Sequence, residues 1–166
     1  YADQSESPAL EEVVVTAEFR PMSAAEVPGS VSVLDPNANG DLINHLDELL
    51  SRAANVNLTS GASSARFFQI RGIGERSQFV EPLNPSVGLI VDGVDLSGLG
   101  GAATLFDVQQ VEVLRGPQGT LYGANAMAGL INVVTPDATE TLSGSLQVDA
   151  GNYSARGAGG VLAGSI

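Results

Sequence analysis

Apolar and polar positions alternate with a period of two in several short runs, which marks strands whose two faces meet different surroundings. In residues 110–115 (QVEVLR), Val111 and Val113 alternate with Gln110 and Glu112. Gly116-Pro117 stops that ladder, because proline offers no N–H and glycine tolerates positive φ. Gly119 and Gly123 then mark chain reversals around Tyr122, and residues 130–135 (LINVVT) form the next strand. Residues 87–91 (VGLIV) are almost continuously apolar and read as a central strand, turned by Asp92-Gly93 into a continuation at 94–96. Residues 31–34 and 66–73 (RFFQIRGI) add two more, with Phe68 and Ile70 alternating with Gln69 and Arg71.

The helical period occurs once at length. Leu42, Ile43, Leu46, Leu49, Leu50 and Ala53 share one face behind Asp41 as a cap, which predicts a helix over 42–54. His45 falls on its polar flank as a solvated residue. Residues 105–108 predict one further helical turn.

Between these elements, residues 20–30 read as a linker, and 55–66, 74–86 and 97–103 as loops. The length of 74–86 suggests a functional loop, since long loops inside compact domains usually carry function. Residues 1–9 are polar and acidic and read as a disordered leader. Residues 10–17 (LEEVVVTA) carry an isolated valine run. It reads either as an edge strand docked on its own domain or as a portable strand that pairs with a partner's sheet edge. After Pro136 the texture changes. Residues 145–150 alternate strictly, 151–154 turn, and 156–166 alternate again. At ~3.3 Å per residue, eight or nine such residues match the ~25 Å apolar band of an outer-membrane barrel strand, although a soluble half-buried hairpin has the same pattern.

Composition narrows the choices. The net charge of −12, with seven basic residues, argues against a nucleic-acid surface, which needs clustered cations. No cysteine is present, so thiolate metal sites, disulfides and cysteine nucleophiles are excluded. The chain opens at Tyr1 with no basic or apolar leader, as expected of a processed or partial chain. Glycine is frequent, yet residues 116–123 lack the Lys-Ser/Thr of a phosphate loop and Gly72-Ile73-Gly74 does not open a helix. A single histidine far from any suitable serine leaves no nucleophilic triad. The expectation is a non-enzyme with no catalytic residue, no metal site and no cofactor.

The ordered set of 10–17 (LEEVVVTA), Ile70-Arg71-Gly72, Val91-Asp92-Gly93, Phe106-Asp107-Val108, 111–122 and 131–135 resembles the plug domain of TonB-dependent outer-membrane receptors. The resemblance covers roughly residues 10–136. It implies an α+β fold: a plug with a mixed, roughly four-stranded sheet and short helices, followed by the first strands of an outer-membrane β-barrel. The division expected is 1–20 as a flexible segment with the TonB box, 21–136 as the plug and 137–166 as the first barrel hairpin.

The resemblance also assigns roles. Glu12, Val13, Val14, Val15, Thr16 and Ala17 look like the TonB box, which the C-terminal domain of periplasmic TonB captures as a strand. Arg71 and Arg115 correspond to plug arginines that meet barrel glutamates, with satisfaction inside the plug as the plainer reading. Ligand contact is expected at the loop tips, through Ser60, Ser63, Glu75, Arg76, Gln78, Phe79 and Ser97, with solvated loop residues as the alternative. The implied function is gated, energy-coupled uptake of a scarce small molecule, by family default a ferric siderophore, with vitamin B12, a carbohydrate or a plant-derived aromatic as the alternatives. The implied partners are TonB, the protein's own barrel and the outer membrane. A free-standing periplasmic plug-like module that binds TonB or a ligand without transport is the alternative.

Overall fold

The computed structural model describes residues 13–17, 21–38, 43–59, 66–77, 79, 82–99 and 105–164. The expectations placed on residues 1–9, Glu12, Asp41, Leu42, Ser60, Ser63 and Gln78 lie outside that set. The chain divides into two units, Tyr1–Val134 and Thr135–Ile166.

In chain order the strands of the first unit are β1 (Val14–Val15), β2 (Met22–Ser23), β3 (Ser30–Leu34), β4 (Val56–Thr59), β5 (Phe67–Ile70), β6 (Val87–Val91), β7 (Val94–Asp95), β8 (Gln110–Arg115) and β9 (Gly129–Val134). Two short helices, α1 (Leu46–Leu50) and α2 (Gly119–Tyr122), accompany them. The main sheet runs β3-β8-β9-β6-β7. Its β6–β9 pair is parallel and its other pairs are antiparallel, so the sheet is mixed. Four strands of five or six residues carry it, and β7 adds only a two-residue edge.

Side chains alternate across a strand, so the sheet presents two faces. On one, Leu89, Val111, Val113, Ile131 and Val133 pack with Leu46, Leu49 and Leu50 of α1 and with Phe68 and Ile70 of the β4–β5 hairpin. On the other, Ile90, Leu114 and Leu130 pack with Val15, Ala17 and Val27 of the N-terminal arm and with Ala126. The result is three layers: arm, sheet, and helix with hairpin. The alternation at 110–115 therefore marks a strand but not a solvent face. Glu112 is 0% exposed.

Several local expectations are corrected. The helix expected over 42–54 is confined among the described residues to Leu46–Leu50. The Asn44 carbonyl accepts from Leu105 N–H at 3.1 Å instead of from a helical amide. Beyond Leu50 the bonds shorten to Arg52 N–H→Leu49 O and Ala53 N–H→Leu50 O, and Asn55 at φ 60° ends the turn. The loop expected at 55–66 contains β4, whose Val56 and Leu58 alternate with Asn57 and Thr59 and pair with β5. The linker at 20–30 contains β2, which pairs antiparallel with β1. The strand expected over 66–73 ends at Ile70, where Arg71 and Gly72 turn at positive φ. Residues 106–107 form a turn with Asp107 at φ 54°, not a helical turn; Leu105 and Val108 are buried on either side.

The second unit is a hairpin of β10 (Ser143–Ala150) and β11 (Arg156–Ala163), paired over eight residues each. Leu146 lies opposite Gly160, Val148 opposite Ala158 and Gly144 opposite Leu162, so Leu146, Val148 and Leu162 share one face. Ser145, Gln147 and Asp149 occupy the other. Leu146, Val148 and Leu162 are all exposed.

Candidate functional site

The arm crosses the sheet face that carries the even-numbered side chains of β8, and there it meets Glu112. Glu112 Oε1 accepts the Thr16 N–H at 2.8 Å, the Thr16 hydroxyl at 3.0 Å and Gln110 Nε2 at 2.7 Å. Oε2 accepts the Ala17 N–H at 2.8 Å and Asn132 Nδ2 at 3.1 Å. All five donors are uncharged. A buried carboxylate is costly unless it is hydrogen-bonded, and these donors meet the need of its acceptor-only oxygens. Gln110 Nε2 also donates to the Val14 carbonyl at 2.9 Å, and the Tyr122 hydroxyl donates to the Ala17 carbonyl.

The candidate strand is thus built into the first unit. Val15 and Ala17 are each only 1% exposed, whereas Val13 and Val14 face solvent. Of the residues assigned to the TonB box, the structure brings Val13 to Ala17 together on one extended segment. The three side chains that hold it, Gln110, Glu112 and Tyr122, and Asn132, which supports Glu112, were not anticipated. A readable signal was present: a glutamate between two valines of a central strand must find donors once both faces are covered.

On the opposite face, Arg115 is 8% exposed. Its Nε and Nη2 both donate to the Ala54 carbonyl, at 3.1 and 2.9 Å, and Nη1 donates to Ser32 Oγ at 2.9 Å. Burial holds its pKa below the usual arginine value, and the charge of Arg71 adds to the effect. Arg71 itself is exposed at the β5 turn, with its N–H on the Asn55 carbonyl at 2.9 Å.

The loop-tip candidates separate into two kinds. Glu75 Oε1 accepts Ser86 N–H at 2.9 Å and the Ser86 hydroxyl at 2.8 Å, while the Glu75 carbonyl accepts Thr59 Oγ1 and Gln69 Nε2. Ser97 Oγ accepts the Leu89 N–H at 3.0 Å, and its own N–H donates to Asp95 at 2.8 Å. Both side chains hold their loops. Arg76 and Phe79 instead face solvent, Phe79 being 92% exposed. Ser97 also lines a cavity of about 250 Å³ with Arg66, Pro85, Leu99 and Asn125. That volume is slightly below the ~300 Å³ of the smaller ligand pockets. No metal-holding group of His, Cys, Asp or Glu occurs among the described residues.

Comparison with known proteins agrees with this architecture. Residues 23–130 match the model of the TonB-dependent Receptor Plug Domain. The pesticin receptor of Yersinia enterocolitica is 37% identical over 139 residues, covering 82% of this chain and 20% of the receptor. Among solved structures, the ferric yersiniabactin uptake receptor FyuA from Yersinia pestis is 36% identical with a TM-score of 0.59, covering 71% of this chain and 18% of that one. The ferripyoverdine receptor of the Pseudomonas aeruginosa outer membrane, at 18% identity, shares the fold with a TM-score of 0.73, over 93% of this chain and 20% of that one. The chain spans about a fifth of the length of the curated relatives it matches. With a family model matching most of its length and a mixed plug sheet in place, the chain belongs to the plug domains of the TonB-dependent outer-membrane receptors.

Proposed function

We propose that this chain is the gating plug, with the first barrel hairpin, of a receptor that takes up a scarce small molecule across the bacterial outer membrane. Energy would arrive through the strand Val13 to Ala17, facing the periplasm and captured by the C-terminal domain of TonB. The observation that carries the reading is the form of that strand: an extended segment whose edge away from β2 is held by side chains alone. Such an edge can exchange its side-chain partners for a backbone ladder. The test is binding of a peptide spanning residues 13–17 to the TonB C-terminal domain. Saturable pairing that Val14→Pro abolishes is expected, and no detectable pairing would sink the reading.

The ligand class is a ferric siderophore. Similar proteins named as the ferric enterobactin receptor PirA of Pseudomonas aeruginosa and the ferric yersiniabactin uptake receptor support it. Arg76 and Phe79, both exposed, are the plug side chains offered to that ligand. The hairpin's exposed apolar face suits lipid, which supports a barrel around the plug over a free-standing module. Arg71 and Arg115 would meet barrel carboxylates, and a negative charge beside them would offset the repulsion that the Arg71 charge exerts on Arg115.

A further inference from the structure

The backbone of the arm can be accounted for group by group. In an antiparallel pair the hydrogen-bonding groups of successive residues point alternately toward and away from the neighbour. Val13 O accepts the Ala24 N–H at 2.8 Å and Val15 lies opposite Met22, so the odd-numbered residues face β2. Val14 and Thr16 therefore face away, along the one edge a new strand could join. That edge is occupied. Gln110 holds the Val14 carbonyl, and Glu112 holds the Thr16 N–H together with the next N–H, of Ala17.

We infer that Gln110 and Glu112 form an edge guard, and that a strand-capturing partner must displace these two side chains to pair with Val14 and Thr16. The inference rests on the coupling role proposed above and adds which backbone edge the partner takes and what competes for it. Two features suit a guard rather than a permanent anchor. Gln110 and Glu112 lie on one face of β8 and hydrogen-bond each other, so they can stay partly satisfied when the strand leaves. Asn132 remains on Glu112 Oε2 in the same event. The partner this edge fits is an exposed sheet edge that brings its own N–H and C=O groups, not a side-chain pocket.

Glu112→Gln is the informative substitution, because it places an NH2 group among five donors and so repels what the carboxylate attracts. Gln110→Ala frees the Val14 carbonyl and takes one of the five donors from Glu112 while leaving the carboxylate and its other four donors in place, and it covers the case in which Glu112→Gln fails to fold. The experiment titrates the TonB C-terminal domain into the full chain, wild type and each variant, with the 13–17 peptide as reference and amide hydrogen exchange at Thr16 and Ala17 as a second readout. Glu112→Gln should bind roughly tenfold more tightly than wild type and approach the free peptide, since a hydrogen bond to a charged group is worth about that factor, and Gln110→Ala about fivefold more tightly, the worth of the neutral bond it removes from the Val14 carbonyl. Exchange at Thr16 and Ala17 should accelerate in Glu112→Gln. Unchanged affinity in both variants, with the peptide still binding, overturns the guard and leaves the coupling role standing. A peptide that does not bind overturns the coupling role; unchanged exchange in Glu112→Gln then overturns the guard as well.

Discussion

Glu112 and Arg115 lie three residues apart on β8 and act on opposite faces of the sheet. Glu112 holds the backbone of Thr16 and Ala17 in the arm layer, and Arg115 holds the Ala54 carbonyl in the helix layer. One strand therefore ties both outer layers to the centre. Replacing Arg115 by alanine leaves the Ala54 carbonyl and Ser32 Oγ without this donor. Arg115→Ala should cost about 1–3 kcal/mol, and Arg115→Lys should recover only part of it, because an ammonium cannot fork one carbonyl as guanidinium does. Urea denaturation of the chain measures both, and a midpoint unchanged in Arg115→Ala would refute the tie. In the intact receptor the same change should raise antibiotic permeability.

Tyr122 closes the arm from α2 through its hydroxyl on the Ala17 carbonyl. Tyr122→Phe should lower stability by about 0.5–1.5 kcal/mol, the usual worth of one hydrogen bond. The Ala17 N–H stays on Glu112 in this variant, so its exchange protection should persist at low denaturant. Loss of that protection would mean that the tyrosine, not the carboxylate, holds the arm.

The strands of the main sheet were legible because their apolar positions repeat every two residues, as in 87–91 and 130–135. The layers were not. Val13 to Val15 read equally well as a docked edge or a portable strand, and the structure supplies the docked state through Glu112, which lies 96 residues away from Thr16. No local pattern announces a pairing at that separation. β2 and β4 were missed for a related reason: Met22–Ser23 and Val56–Thr59 are too short and polar to signal alone and are specified by their partners. Arg115 was legible as an important position, but its internal partner is a backbone carbonyl, which carries no sequence signature. Glu75 and Ser97 were singled out by resemblance as loop-tip positions, and their loop-closing bonds, which carry no local signature, appear only once Ser86 and Leu89 are in place.

Gly88 sits in β6 where the backbone of Asn125 crosses the sheet. A Cβ there would stand 2.8 Å from the Asn125 carbonyl oxygen and 2.9 Å from Leu130 Cδ1. The oxygen is backbone and cannot step aside as a side chain would. Gly88→Ala should destabilise the plug by about 1–3 kcal/mol, the usual cost of overpacking. A thermal midpoint equal to wild type would show that the 123–126 segment can move off the sheet.

Asp95, at the edge strand β7, gives the first unit an acid-sensitive point. Partial burial acts to raise its pKa, but hydrogen bonds from Ser97 and from Asn125 Nδ2, the latter at 2.9 Å, prevail and leave it below the usual carboxylate value. A group whose pKa is lower folded than unfolded contributes stability above its unfolded value, near ~3.9, and loses it as pH falls through the folded value. Asn125→Ala should therefore move the Asp95 titration upward, read by carboxyl NMR, and weaken β7 pairing first below about pH 4. A downward move would reverse the sign of the argument.

The hairpin of the second unit separates the barrel reading from a soluble one by its two faces. Leu146, Val148 and Leu162 share one face, and Ser145, Gln147 and Asp149 the other. If the first face meets lipid, an arginine at position 146 must enter the apolar band. Leu146→Arg in the full receptor should then reduce folded protein in the outer membrane, with a cost of about 2–4 kcal/mol at mid-depth. Gln147→Arg, one residue along, points to the other face and should fold at the wild-type level. Heat-modifiable gel mobility of the two variants reads the difference directly. Equal yields would mean that neither face meets hydrocarbon, and the lipid-facing assignment of Leu146 would fall.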